Sequence, residues 1–125
     1  MRKIMGLMSL LAALLPAAST PPVLAGEVTP SLVLPAGTRL VDVRTPAEWA
    51  DGHLPGATLL PLDQLAARVA SVLPDRNAPI VVYCRSGNRS GQAQRFLRSL
   101  GYTNVENGGG ATSLAARLGK PLVRD

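Results

Sequence analysis

The pattern of apolar and polar positions becomes regular from residue 39 onward. Short apolar runs there alternate with segments whose apolar residues recur at helical spacing. The predicted elements are, in order, a strand with Leu40, Val41 and Val43, a helix from Pro46 to just before Gly52, a strand at 57–60, a helix with Leu65, Ala66, Val69, Val72 and Leu73 on one face, a strand at 79–83, a helix opened by Ser90 and closed by Gly101, a strand at 104–106, and a helix at 111–118. This alternation predicts a small α/β domain with a mostly parallel β-sheet flanked by helices.

Local signals indicate where several of these elements begin. Thr45 and Glu48 have the spacing of a capping box, and Pro46 occupies the first helical position between them. Asp63 is expected to cap the second helix. The run at 79–83 is continuous and rich in β-branched residues, which is typical of a strand covered on both faces. We therefore expect this strand to be central in the sheet.

The N-terminal segment has a different composition. Arg2 and Lys3 precede an uncharged stretch rich in Leu and Ala, and residues 23–25 place small side chains where signal peptidases cleave. The stretch is shorter than the roughly 20 apolar residues of a membrane span, which favours a cleaved signal over an uncleaved anchor. The expected organisation is a signal peptide at 1–25, an N-terminal arm at 26–38 with a short strand at 31–34, and the folded domain at 39–125. Such a protein is expected in the periplasm, free of the membrane once the signal is removed.

Composition excludes some functions. One Cys and one His leave no internal disulfide and no zinc-finger spacing. The net charge is +5, but the basic residues form no long run, and one Trp, two Tyr and one Phe offer little surface for stacking bases. Nucleic acid is therefore not an expected partner.

The single cysteine lies directly after the most strand-like run. In an open parallel sheet, ligands bind at this end of the strands. Small residues in the following loop allow successive amides to converge with the positive end of the next helix, which makes an anion cradle. The same field lowers the pKa of a thiol, so Cys84 is expected to be a thiolate nucleophile. The candidate substrate-binding residues are Arg85, Ser86, Gly87, Asn88, Arg89 and Ser90, and the two arginines are expected to contact the anion.

Several motifs between residues 40 and 110 occur together in a characteristic order. They are Val41-Asp42-Val43-Arg44, Glu48-Trp49, Gly52-His53-Leu54-Pro55-Gly56-Ala57, the loop from Cys84 to Ser90, Ser90-Gly91-Gln92-Ala93, Gly101-Tyr102, Val105-Glu106-Asn107 and Gly109-Gly110. In these motifs the chain resembles the single-domain rhodaneses, which are sulfurtransferases, and most closely their small periplasmic phage-shock type.

The resemblance implies both a fold and a reaction. The fold is a parallel sheet flanked by helices, and the reaction passes through a persulfide on Cys84. The thiolate would attack the outer sulfur of a small anionic donor such as thiosulfate, sulfite would leave, and cyanide or a thiol would accept the sulfur. The resemblance implies no metal and no organic cofactor.

Two other functions remain open at this point. One is a persulfide carrier, a sulfur-binding module that delivers its sulfur to a protein partner. The other is a phosphatase or arsenate-reductase-like enzyme, because phosphatases of related fold place an Arg six residues after the catalytic Cys. Here Ser90 occupies that sixth position and Arg89 comes one residue earlier, which favours sulfur transfer.

Three further residues are expected to support the site structurally. Asp42 and Arg44 have the spacing of a structural ion pair at the end of the first strand. His53 has no acidic or Ser partner at a recognisable spacing, so it is expected to fix its loop through hydrogen bonds and not to act as a base.

The glycines at 108–110 predict a turn with positive φ angles whose backbone approaches the active loop.

Overall fold

The computed structural model describes residues 30–125, which form one four-stranded sheet with helices on both faces. The elements are β1 (Arg39–Asp42), α1 (Pro46–Asp51), β2 (Thr58–Leu59), a 3₁₀ turn (Leu62–Gln64), α2 (Leu65–Val72), β3 (Ile80–Cys84), α3 (Asn88–Ser99), β4 (Val105–Gly110) and α4 (Ala111–Leu118). The strand order is β2-β1-β3-β4, and every pairing is parallel. The predicted α/β class is confirmed.

The third strand is central, as its sequence predicts. All five of its residues are buried, and their side chains alternate between two hydrophobic clusters. Ile80, Val82 and Cys84 contribute to the cluster that α2 and α3 cover, whereas Val81 and Tyr83 contribute to the one that α4 covers. Period-two alternation therefore produces two cores, one on each face of the sheet.

The first helix begins as its sequence predicts. The Thr45 hydroxyl accepts the Glu48 amide, and the Glu48 carboxylate accepts the Thr45 amide, which completes the capping box. Pro46 occupies the first turn, and the helix ends before Gly52, whose φ is 145°. This capping fixes the position of Glu48, which faces the active loop.

Two expectations about where elements begin are wrong. Residues 31–34 form no strand; the Ser31 and Leu32 amides instead donate to the Arg117 carbonyl at the end of α4. Asp63 does not cap α2, because it lies inside the 3₁₀ turn that precedes the helix, and Gln64 takes the N-cap position without a side-chain hydrogen bond.

The helix after Cys84 also begins earlier than expected. It starts at Asn88 and not at Ser90, so only residues 85–87 separate it from β3. At its other end, Gly101 has a φ of 94°, as expected of a glycine that ends a helix.

The glycines at 108–110 do not form the expected turn. They extend β4, and Gly110 pairs with Cys84 after an irregularity in the ladder. The positive φ of Gly109, 83°, and the expected approach to the active loop are both present.

No helix within residues 30–125 has the length and apolar character needed to cross a membrane. The expected signal peptide at 1–25 and the first part of the arm lie outside the described residues.

Candidate active site

Cys84 ends the central strand, and its side chain lies at the base of the loop that leads into α3. The residue is only 1% exposed. The loop turns sharply at Gly87, whose φ of 97° places it in the left-handed region that glycine adopts without strain. Ser90, in the first turn of α3, is fully buried, whereas the loop residues Arg85 and Ser86 are exposed.

Backbone amides and one hydroxyl surround the Cys84 sulfur. The Gly87 amide donates to Sγ over 2.9 Å, and the Ser90 hydroxyl oxygen lies 3.4 Å from it. Burial alone raises the pKa of the thiol, but hydrogen bonds from the Ser90 side chain and from the amides of Ser90, Ser86 and Gly87 outweigh it and lower the pKa to about 7. A substantial fraction of the sulfur is therefore thiolate at neutral pH, in line with the expected nucleophile.

The glycine-rich end of β4 packs directly against the active loop. A Cβ built on Gly110 would overlap the Arg85 carbonyl group, and one built on Gly87 would come within 3.4 Å of the Gly109 Cα. A Cβ built on Gly108 would come within 2.7 Å of the Val81 side chain and 2.9 Å of the Leu114 side chain. Gly110 is needed because two backbone segments meet here without room for a side chain, and Gly108 because side chains of the core fill the space beside it.

Asn107 joins this strand end to the loop, a role that no pattern in the sequence predicts. Its Oδ1 accepts the Ser90 hydroxyl over 2.6 Å and the Gly109 amide over 2.9 Å. Its Nδ2 donates to the Gly87 carbonyl over 3.0 Å. Asn107 belongs to one of the motifs that carry the resemblance, but no spacing rule links an asparagine on one strand to a cysteine on another.

The two arginines of the loop differ in their surroundings. Arg89 forms a two-pronged ion pair with Glu48, with N–O distances of 2.7 and 2.9 Å. The hydrogen bond from Arg89 is the main reason that the pKa of Glu48 falls to about 2, against burial that opposes the fall. Among residues 30–125, no carboxylate lies within ion-pair distance of Arg85, which lines an open cleft of about 340 Å³ with Glu48 and Thr112. The expected pair of anion-binding arginines is thus one free guanidinium and one already engaged.

The expected ion pair of Asp42 and Arg44 is present beneath this cleft. Asp42 is fully buried, and its carboxylate accepts the Arg44 guanidinium at 2.6–3.0 Å and the Arg44 amide at 2.9 Å. Arg44 also donates to the Gly52 carbonyl and lies over the Tyr83 ring at 5.7 Å. Burial opposes the charge on Arg44, but its bonds to Asp42 prevail and raise its pKa. The pair connects β1 to the end of α1, and so supports the helix that carries Glu48.

His53 makes its contacts away from the active loop. Its ring stacks on Trp49 with centroids 3.5 Å apart, Nδ1 lies 3.1 Å from the Trp49 carbonyl, and Nε2 lies 2.8 Å from the Asp125 carboxylate. The His53 backbone also pairs with Val123 in both directions. These bonds fix the loop after α1, which is the structural position expected for this residue.

Comparison with known proteins is consistent with this site. Residues 31–113 match the family model of the rhodanese-like domain. The chain is 41% identical to the thiosulfate sulfurtransferase PspE of Escherichia coli over 68% of this chain and 82% of that protein. It is 45% identical to a sulfurtransferase of Allochromatium vinosum over 67% and 77% of the two chains. A solved structure described as a rhodanese with anions from E. coli superposes with a TM-score of 0.63 at 38% identity, covering 70% of this chain and 99% of that one. The chain therefore belongs to the rhodanese family and is a rhodanese-type enzyme.

Proposed function

We propose that this protein transfers sulfane sulfur from thiosulfate, through a persulfide on Cys84, to cyanide or a thiol. The observation that carries the proposal is the position of the Cys84 sulfur, which lies where loop amides converge and has a pKa of about 7. Relatives named thiosulfate sulfurtransferases support the choice of donor.

The reaction consists of two displacements at sulfur. The Cys84 thiolate attacks the outer sulfur of thiosulfate, the bond between the two thiosulfate sulfurs breaks, and sulfite leaves with the electron pair. The terminal sulfur of the resulting persulfide carries the negative charge. A cyanide or thiolate acceptor then attacks that sulfur, and the Cys84 thiolate is restored. Neither step needs a general base, since both nucleophiles react as anions.

The loop is suited to an anion that reacts at the sulfur. The amides of Ser86, Gly87 and Ser90 face Sγ, and the first turn of α3 adds its positive end. The terminal persulfide sulfur would share this field, which favours the charged intermediate. Arg85 is the guanidinium free to bind the donor's sulfonate group.

The competing phosphatase function is less well supported. A phosphatase loop needs a guanidinium directed at a tetrahedral phosphate, whereas the Arg89 guanidinium is held by Glu48 at 2.7 and 2.9 Å. Ser90, at the position of the phosphatase Arg, is buried against the sulfur.

The test is the intact mass of the protein after thiosulfate treatment. We expect the mass to rise by one sulfur atom, to return to its starting value after cyanide, and to stay unchanged in Cys84→Ser. Asp75→Asn, a change in the exposed loop that precedes β3 and so lies at the opposite end of that strand from Cys84, should behave as wild type. Thiocyanate production by Cys84→Ser would refute the persulfide mechanism.

We also propose that residues 1–25 are a cleaved signal peptide, that 26–38 are an arm preceding the domain at 39–125, and that the enzyme acts in the periplasm. The support is the charge and apolar pattern of the N-terminal segment. N-terminal sequencing of the exported protein should begin at or near Gly26. Recovery of membrane-bound protein that retains residues 1–20 would contradict this.

A further inference from the structure

The Ser90 hydroxyl has one proton to donate and two neighbouring atoms that can accept a hydrogen bond from it. Its oxygen lies 2.6 Å from Asn107 Oδ1 and 3.4 Å from Cys84 Sγ. Because an amide oxygen only accepts hydrogen bonds, the contact with Asn107 uses the hydroxyl proton. The proton therefore cannot stabilise a Cys84 thiolate at the same time.

The orientation of the Asn107 amide is fixed by two backbone partners. Oδ1 accepts the Gly109 amide, and Nδ2 donates to the Gly87 carbonyl. A flipped amide would lose both bonds, so Oδ1 stays directed at Ser90. In this arrangement the Cys84 S–H donates to the Ser90 oxygen, and the Ser90 O–H donates to Asn107. This sequence of hydrogen bonds requires the Cys84 sulfur to be an uncharged thiol.

We propose that Asn107 is a positioning residue that holds the Ser90 hydroxyl proton while the Cys84 sulfur is uncharged and releases it to the sulfur when the thiolate forms. The proposal rests on the proposed function, in which Sγ alternates between charged and uncharged states. In the thiolate the hydroxyl rotates to Sγ, while Asn107 keeps its bond to the Gly109 amide. Once the negative charge has moved to the terminal persulfide sulfur, the hydroxyl returns to Asn107.

Asn107 and the Cys84 sulfur compete for the Ser90 hydroxyl proton, and this competition shifts the thiol pKa in one direction. An acceptor that binds the hydroxyl only when Sγ is uncharged stabilises the uncharged state, so Asn107 raises the thiol pKa through Ser90. The other charged groups around the loop are Arg85, Arg89, Glu48 and, from β1, the Asp42–Arg44 pair. Beside Asn107 they are its strand neighbour Glu106, Arg95 of α3, which lies next to Gly91, and Arg117 of α4, which donates to the Gly108 carbonyl. All of them remain in the variants proposed below, so their fields do not change between them.

The test is a double-mutant cycle on the thiol pKa. The rate of alkylation by iodoacetamide, a neutral reagent, is measured against pH in wild type, Asn107→Ala, Ser90→Ala and the double variant. Cys84 is the single cysteine, so the reaction reports only on it. Losing the bond from Asn107 to Gly87 affects both Asn107 comparisons equally and cancels in the cycle.

We expect Ser90→Ala to raise the thiol pKa. Asn107→Ala changes the thiol pKa by one amount in the wild-type background and by another in the Ser90→Ala background. We expect the first change to be more negative than the second by about 0.7 unit, which is the equivalent of one neutral hydrogen bond. Equal changes in the two backgrounds, or a more positive change with Ser90 present, would overturn the proposal, since Asn107 would then act on the loop backbone alone.

Controls separate this outcome from other failures. Asn77→Ala removes an exposed amide whose contact is with Thr103, away from the active loop, and it should leave the thiol pKa unchanged. Asn107 is itself exposed, and Ser90→Ala deletes a single oxygen, so both variants are expected to fold, which thermal melting checks. The alkylation assay needs no thiosulfate. A failure of the proposed function therefore appears as an absent persulfide, and a failure of this proposal as an absent coupling.

Discussion

Glu48 holds one of the two loop arginines, so removing its charge should help the donor bind. In Glu48→Gln the side chain keeps an amide oxygen that can accept the Thr45 amide, so the start of α1 is preserved. The bidentate ion pair with Arg89 is replaced by at most one hydrogen bond from the guanidinium to an uncharged amide oxygen. The Arg89 guanidinium then becomes available to thiosulfate.

The pKa of Glu48 sets an upper limit on the size of this effect. A fall in this pKa from 4.5 to about 2 corresponds to an interaction free energy of roughly 3 kcal/mol for a pair that solvent does not screen. The Arg89 and Glu48 side chains are 32% and 25% exposed, so solvent screening reduces this to about 1 kcal/mol. Since 1.4 kcal/mol is a factor of ten, we expect kcat/KM for thiosulfate to rise about fivefold.

The assay is steady-state thiocyanate formation at low and high ionic strength, with Asp75→Asn as the matched control. That control removes one negative charge from an exposed side chain in the loop before β3, at the opposite end of that strand from Cys84. A long-range effect of net charge would appear in both variants and fade with salt. If Glu48→Gln leaves kcat/KM unchanged or lowers it, Arg89 does not bind the donor when released, and the pair serves only to fix the loop.

The remaining predictions concern the loop and its sulfur. Arg85→Ala should raise the KM for thiosulfate about tenfold or more, because a charge-assisted hydrogen bond is lost; steady-state kinetics measures it. Gly110→Ala should destabilise the protein and raise the Cys84 pKa, because the new Cβ would overlap the Arg85 carbonyl; thermal melting and alkylation test this. Alkylation of wild type should reach half its maximal rate near pH 7. Because the folded-state thiol pKa is lowered, the stability of wild type relative to Cys84→Ser should be greatest above pH 9 and decline as the pH falls to 7.

Elements with strong local signals were predictable from the sequence. The central strand has a continuous apolar run, and the first helix has a complete capping box, so β3 and α1 occur where the sequence places them. The position of Cys84 at the carboxyl end of β3 follows from the same run, which is why the candidate nucleophile could be identified without a structure.

Features that depend on distant residues were not predictable. Residues 108–110 lack side chains that favour strands, and they extend β4 because β3 supplies the ladder partners. The Glu48–Arg89 pair joins residues 41 positions apart, and the Asn107–Ser90 bond joins residues 17 apart. No periodicity or spacing rule spans such distances, so sequence reasoning left both arginines free and Asn107 unassigned.

The first turn of α3 lacks the capping side chain that marks most helix starts in a sequence, and this explains why the predicted start lies two residues too late. Helices usually begin with a side chain that accepts the free amides of the first turn, and Ser90 has such a side chain but is the third residue of the helix. The actual N-cap is Gly87, which has no side chain to offer. The Cys84 sulfur takes over part of this task, since it accepts the amide of Ser90, the third helical residue, in addition to that of Gly87. A capping side chain would compete with the sulfur for the Ser90 amide, so the missing cap leaves that amide free to stabilise the thiolate.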